Sequence, residues 1–91
     1  RSVAATIDKD SFTGSNIVTV THSLDTADLI VELYDISTDA TVFADVYRTA
    51  ADLSTSSTSV ISIDFGVTPA NDIKVLITSL KGATAGALAY A

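Results

Sequence analysis

One short stretch of the sequence contains all the residue types of a hydrolytic triad. His22, the single histidine, is followed by Ser23, with Asp25 and Asp28 close behind. A working triad needs an imidazole that bridges a hydroxyl and a carboxylate along a line, and adjacent side chains at the end of a strand usually diverge. We therefore interpret His22 as a residue that hydrogen-bonds within a turn, and we predict that the protein is not an enzyme.

The carboxylates are a second candidate for chemistry, because ten of the eleven acidic residues are aspartates. Asp8 and Asp10 form an Asp-x-Asp pair, and Asp35 and Asp39 flank a turn. Neither pair has the glycine and closing glutamate of a calcium-binding loop. Aspartate is favoured in turns because it hydrogen-bonds its own backbone. The spacing therefore predicts turns rather than a metal site, and no cofactor is expected.

The composition excludes several classes of function. Five Lys and Arg residues against eleven Asp and Glu residues give a net charge of -6, which is the wrong sign for binding nucleic acid. The chain has no cysteine, so it forms neither disulfides nor thiolate metal sites. No apolar run approaches the roughly 20 residues that cross a bilayer, and membrane insertion is not expected. A chain of 91 residues has the size of one domain.

The elements that must position these residues are predicted to be strands. Nine Val, eight Ile and thirteen Thr make about a third of the chain β-branched, and such side chains suit a pleated sheet. Six segments alternate apolar and polar residues with the period of two expected of strands. They are 3–8, 16–22, 28–36, 41–48, 58–65 and 72–79.

Turns rather than helices connect these segments, which is typical of an antiparallel sandwich. We predict an all-β fold, a small antiparallel β-sandwich of about six strands over residues 1–79. An irregular, Ala/Gly-rich C-terminal tail is predicted for residues 80–91. The first strand is expected at a sheet edge and the third in a sheet centre. The short connection between the third and fourth strands predicts a hairpin.

The alternation also assigns each strand residue to one of two sides. The inward set is Val18, Val20, Leu29, Val31, Leu33, Val42, Ala44, Val46, Ile61, Ile63, Phe65, Ile73, Val75 and Ile77.

Several large apolar or aromatic residues fall on the outward side, including Ile17 and Ile30. Such residues either cover further burial within one chain or form an interface with another. We favour an interface, and we expect the chain to form a homo-oligomer. The predicted interface residues are Tyr34, Phe43, Tyr47, Leu76, Leu80, Leu88 and Tyr90.

Several segments, taken in order along the chain, resemble a module of tailed-bacteriophage virion proteins. Residues 17–26, IVTVTHSLDT, are similar to a strand ending in a His-Asn-Leu-Gly-Thr-like turn, and residues 28–35, DLIVELYD, to the Val-rich strand that follows. Residues 45–49, DVYRT, resemble an Asp-Val-x-Arg-Thr segment, and residues 68–77 resemble the ending of the module. Ser23 and Asp25 depart from its usual Asn and Gly, and Ile73 from its usual aromatic residue.

The resemblance implies a non-enzymatic β-sandwich on the exterior surface of a virion, of tail-fibre or tail-tip type. Its partners are then other virion proteins of the tail or capsid. Fibre proteins carry the module within a much longer chain, so two alternatives stay open. One is a capsid decoration protein that stabilises the head lattice. The other is an adhesin module, whose partner is a host surface receptor.

Overall fold

The structure, a computed structural model, describes residues 1–83. It contains six strands and one 3₁₀ turn at Lys9–Ser11, which fits the composition rich in β-branched residues. The strands are β1 (Ser2–Ile7), β2 (Ile17–Thr21), β3 (Leu29–Asp35), β4 (Asp45–Tyr47), β5 (Val60–Asp64) and β6 (Ile73–Ser79).

The strands form two three-stranded antiparallel sheets. One sheet has the order β1-β6-β3 and the other the order β2-β5-β4. Their inner faces form one core, in which Ile61 and Ile63 of β5 cluster with Val75 and Ile77 of β6. The predicted fold class, a small all-β antiparallel sandwich, is confirmed.

The core has the composition that the alternation predicts. All fourteen residues of the inward set are either buried in the apolar cluster or packed against it. Truncating one of the fully buried aliphatic residues to alanine removes both transfer energy and packing, at a typical cost of about 2–5 kcal/mol. Ile7 and Leu24 are also buried in the cluster, although neither was in the inward set.

The predicted hairpin between the third and fourth strands is wrong. β3 pairs with β6, and β4 pairs with β5 in the other sheet. A single bridge, Tyr34 to Thr41, is all that remains of the hairpin, because the chain then crosses to the second sheet. The crossing also shortens the fourth strand from the predicted 41–48 to Asp45–Tyr47.

Strand positions within the sheets agree with the prediction in one case and differ in another. β1 lies at an edge, as predicted, but β3 lies at an edge as well. The central strands are β5 and β6; β6 is flanked by two strands distant in sequence, and β5 by the distant β2 and by β4, which precedes it in the chain. Of the predicted tail, residues 80–83 follow β6 without strand or helix. Residues 84–91, which include the predicted interface residues Leu88 and Tyr90, lie outside the described part of the chain.

Candidate functional site

The most distinctive surface is the outward side of the β1-β6-β3 sheet. Buried Ile73, Val75 and Ile77 alternate along β6 with residues on the opposite side, and the pairing register extends this pattern to both neighbouring strands. We call the outward set the open face. It consists of Ser2, Ala4, Thr6, Ile30, Glu32, Tyr34, Lys74, Leu76 and Thr78.

Apolar side chains of the open face are in contact with solvent. Ile30 is 58% exposed and Leu76 is 37% exposed, while Tyr34 is half-buried. Leu76 lies at the centre, because it pairs with Ala4 on one side and with Glu32 on the other. An apolar residue at the centre of a bare sheet is typical of a surface that another layer covers.

Phe43 extends this surface beyond β3. Thr41 pairs with Tyr34, and two residues further on Phe43 and Glu32 line the same groove of about 180 Å³. The groove lies between the middle of β3 and the segment that leads into β4. Phe43 is 90% exposed, which makes it the most exposed of the large apolar side chains in residues 1–83.

The outward side of the β2-β5-β4 sheet differs, and we call it the covered face. Its outward residues are Ile17, Thr19, Thr21, Asp45, Tyr47, Val60, Ser62 and Asp64. Ser62, in the central strand, is 0% exposed. Its hydroxyl donates to the Thr49 carbonyl at 3.0 Å, and the Thr19 hydroxyl lies 3.0 Å from the Ser62 oxygen. The segment that begins at Thr49 thus covers the centre of this face.

The structure brings together three of the predicted interface residues and separates a fourth. Tyr34 and Leu76 belong to the open face, and Phe43 adjoins it. Tyr47 lies on the covered face, opposite Ser62, and is half-buried. Leu80, just beyond the end of β6, is 43% exposed.

His22 does not form the hydrogen bonds of a triad. Its Nδ1 accepts a hydrogen bond from the Leu24 amide at 3.0 Å, and Nε2 has no hydrogen-bond partner among the described residues. The His22 and Ser23 amides both donate to the Ser59 carbonyl, which fixes the turn after β2 against the start of β5. The sequence-based interpretation of His22 as a turn residue agrees with these contacts.

Burial determines the protonation behaviour of His22, which is only 5% exposed. Desolvation is the larger effect and lowers the pKa of the imidazole. The Val60 backbone raises that pKa, although it forms no hydrogen bond of ordinary geometry with the ring. His22 therefore favours its neutral form in the folded protein.

The turn after β2 also contains two left-handed residues. Ser23 and Asp25 both have a φ of 55°, whereas buried His22, Leu24 and Thr26 alternate with them. Asn and Gly adopt such angles more readily than serine does, and aspartate tolerates them through its short polar side chain. Because Ser23 and Asp25 adopt left-handed backbone angles, their side chains point outward and Leu24 between them points into the core.

The aspartates act mainly as turn residues. The Asn71 amide donates to Asp35 and is the main cause of a lowered pKa for that carboxyl, with a smaller effect from the Thr38 and Ser37 amides. Hydrogen bonds from Thr55, first from its hydroxyl and then from its amide, likewise lower the pKa of Asp52.

Asp25 connects the turn after β2 to the segment that follows β6, at the surface of the protein. A hydrogen bond from Lys81 at 2.6 Å, together with the charge of the ammonium group, lowers the pKa of this carboxyl.

Within residues 1–83, no three His, Asp or Glu side chains are grouped in a way that could bind a metal ion. The same residues include no helix with the length and apolarity needed to span a membrane. Comparisons of the chain with models of protein families, with curated proteins and with solved structures found no match.

Proposed function

We propose that this chain is a non-enzymatic structural module on the exterior surface of a tailed-phage virion, of tail-fibre or tail-tip type. The observation that carries the proposal is the open face. A small sandwich that leaves apolar residues exposed at the centre of one sheet has a surface suited to contact with other subunits.

The turn after β2 adds support from the sequence resemblance. The residues that this chain shares with the His-Asn-Leu-Gly-Thr-like turn are His22, Leu24 and Thr26, and all three are buried. The two substituted positions, Ser23 and Asp25, are the ones with positive φ. Asn and Gly, the usual residues of the module, favour that conformation. The backbone therefore suits the module's turn despite both substitutions.

The location can be tested by immunogold electron microscopy of intact phage particles with antibodies against the purified chain. We expect gold along the tail or at its tip, and no gold on particles from which the gene has been deleted. Gold spread over the head would instead indicate the capsid decoration alternative. Intact particles without gold, in a preparation where the antibody detects the purified chain, would overturn a virion location.

A further inference from the structure

We propose that the open face binds the open face of a second copy of this chain, across a two-fold axis that places each Glu32 beside the partner's Lys74. This deepens the proposed function and rests on it in one respect, namely that the module assembles through the open face. The partner is inferred from the charges of the face, the pairing register and the apolar residues at its centre.

The charge of the open face differs from that of the whole chain. Among its nine residues, Glu32 and Lys74 are the only charged ones, so the face is neutral on a chain of net charge -6. Neither residue belongs to either of the ion pairs within residues 1–83, which are Lys9–Asp10 and Lys81–Asp25. Copies of an acidic protein repel one another, so a neutral face with one unpaired acid and one unpaired base suits self-association.

The register gives the positions of these two charges relative to Leu76. Glu32 lies directly across from Leu76 on the neighbouring strand, at a strand spacing of about 4.8 Å. Lys74 lies two residues from Leu76 along β6, about 6.6 Å away. Tyr34 pairs with Lys74, so that Leu76, Glu32, Tyr34 and Lys74 form the four corners of a rectangle on the open face. The acid and the base are thus at comparable distances from Leu76 in perpendicular directions.

A two-fold axis along the diagonal from Leu76 to Tyr34 exchanges those two directions. It places Glu32 over the partner's Lys74, and Lys74 over the partner's Glu32, within the reach of both long side chains. Leu76 and Tyr34 lie on the axis and meet their own copies. The strands of the two facing sheets then cross at about 70°, which is close to the near-perpendicular crossing that is one of the two common ways in which sheets pack.

The size of the face indicates how strong this pairing is. Three strands of six or seven residues present roughly 300 Å², well below the roughly 800 Å² per partner of a standard stable complex. Exposed charge pairs add little to the affinity. We therefore expect a weak, salt-sensitive dimer with a dissociation constant on the order of 100 µM, strengthened where copies are held close together.

Sedimentation velocity over a wide range of protein concentration at low salt tests the pairing. The wild-type chain is expected to shift from monomer to dimer. Glu32→Lys places two bases beside the partner's bases, and Lys74→Glu places two acids beside the partner's acids. Each variant alone is expected to dimerise at least tenfold more weakly. An equimolar mixture of the two variants restores both opposite-charge pairs and is expected to dimerise as wild type does.

Matched controls separate this contact from the effect of net charge. Asp10→Lys and Lys9→Glu change the net charge by the same two units at exposed positions outside the face, and are expected to leave dimerisation within about twofold of wild type. The double variant Glu32→Lys/Lys74→Glu is expected to dimerise as wild type does. Circular dichroism of each variant checks that the fold is retained.

Three results would overturn the inference: a wild-type chain that stays monomeric up to its solubility limit, single variants that dimerise like wild type, or a mixture that stays monomeric. A pairing of Glu32 with Lys74 inside one chain predicts the last of these, because mixing cannot restore it. A monomeric chain together with gold on the tail would reject the two-fold contact and leave the virion location standing. A dimer together with unlabelled particles would do the reverse.

Discussion

The outer sides of the two sheets differ in whether another segment of the chain covers the central strand. On the covered face the central strand presents Ser62, which is fully buried beneath Thr49 and hydrogen-bonded to it. On the open face the central strand presents Leu76, which is partly exposed to solvent and has no such cover within residues 1–83. The chain therefore completes one side of its sandwich by itself and leaves an apolar centre on the other.

Replacement of the Ser62 hydroxyl, at the centre of the covered face, is expected to have the largest effect on stability. Ser62→Val removes the donor to the Thr49 carbonyl, leaves the Thr19 hydroxyl without its acceptor and adds volume beneath the loop. We expect a loss of about 2–3 kcal/mol in the free energy of unfolding, measured by chemical denaturation.

Thr78→Val is the matched control on the open face. The Thr78 hydroxyl is 3.0 Å from the Ser2 hydroxyl in an exposed contact, so we expect a change within about 0.5 kcal/mol. Equal losses for Ser62→Val and Thr78→Val would remove the distinction between the two faces.

A change of pH should alter the stability of the folded protein through His22, in the turn after β2. Burial lowers the pKa of His22, whereas the unfolded chain titrates near the ordinary value of about 6.5. The unfolded state therefore binds more protons below that pH, and the contribution of neutral His22 to stability, complete above about pH 6.5, is lost as the pH falls toward the folded pKa. Thermal denaturation between about pH 7.5 and 5.5 should show this decrease.

His22→Asn is the corresponding control for the pH dependence. An asparagine Oδ1 can accept from the Leu24 amide as Nδ1 does, but it does not titrate. We expect a flatter profile over the same interval. A variant profile as steep as that of wild type would assign the pH dependence to other groups.

The stability effects of replacing one edge-strand isoleucine on each face can be compared directly. Ile30→Thr on the open face changes a residue that is 58% exposed, and we expect the stability of the monomer to change by less than about 0.5 kcal/mol. Ile17→Thr on the covered face changes a half-buried residue, and a loss of about 1 kcal/mol is expected. Dilute-solution urea denaturation measures both, and a larger loss for Ile30→Thr would contradict the comparison.

The smallest effect is expected at the surface ion pair between Asp25 and Lys81. Asp25→Asn removes the charge opposite Lys81 and retains a residue that tolerates positive φ. Exposed pairs of this kind contribute little and are screened by salt, so the melting temperature should be almost unchanged. A clear decrease that persists at high salt would show that Asp25 does more than pair with Lys81.

Local sequence rules predicted the core well and the strand pairing poorly. Residues such as Val20, Ile63 and Ile73 alternate with polar neighbours, and their assignment to the core needs no knowledge of their partners. Leu24 was missed because its burial depends on positive φ at Ser23 and Asp25, which a period of two does not describe. The hairpin was predicted from a short connection, but the Tyr34 to Thr41 bridge is not extended.

The candidate site was predictable in part. The outward positions of Tyr34, Phe43 and Leu76 follow from alternation alone. Their grouping on one surface follows from the pairing of β6 between β1 and β3, which joins strands from opposite ends of the chain. The same pairing places Glu32 directly across from Leu76, two residues along β6 from Lys74, and no sequence pattern predicts that arrangement of the two charges.

Three properties of this protein follow from its sequence alone: that it is built of strands, which residues of each strand point inward, and where the turns fall. These properties depend on β-branched stiffness, a period of two and the hydrogen bonding of aspartate to its own backbone, all of which act over a few residues. Which strands are neighbours, and which outer side remains bare, is set by tertiary contacts. Those outcomes depend on contacts between segments far apart in the chain. The sequence pattern around an outward apolar residue is the same whether or not another segment covers that residue.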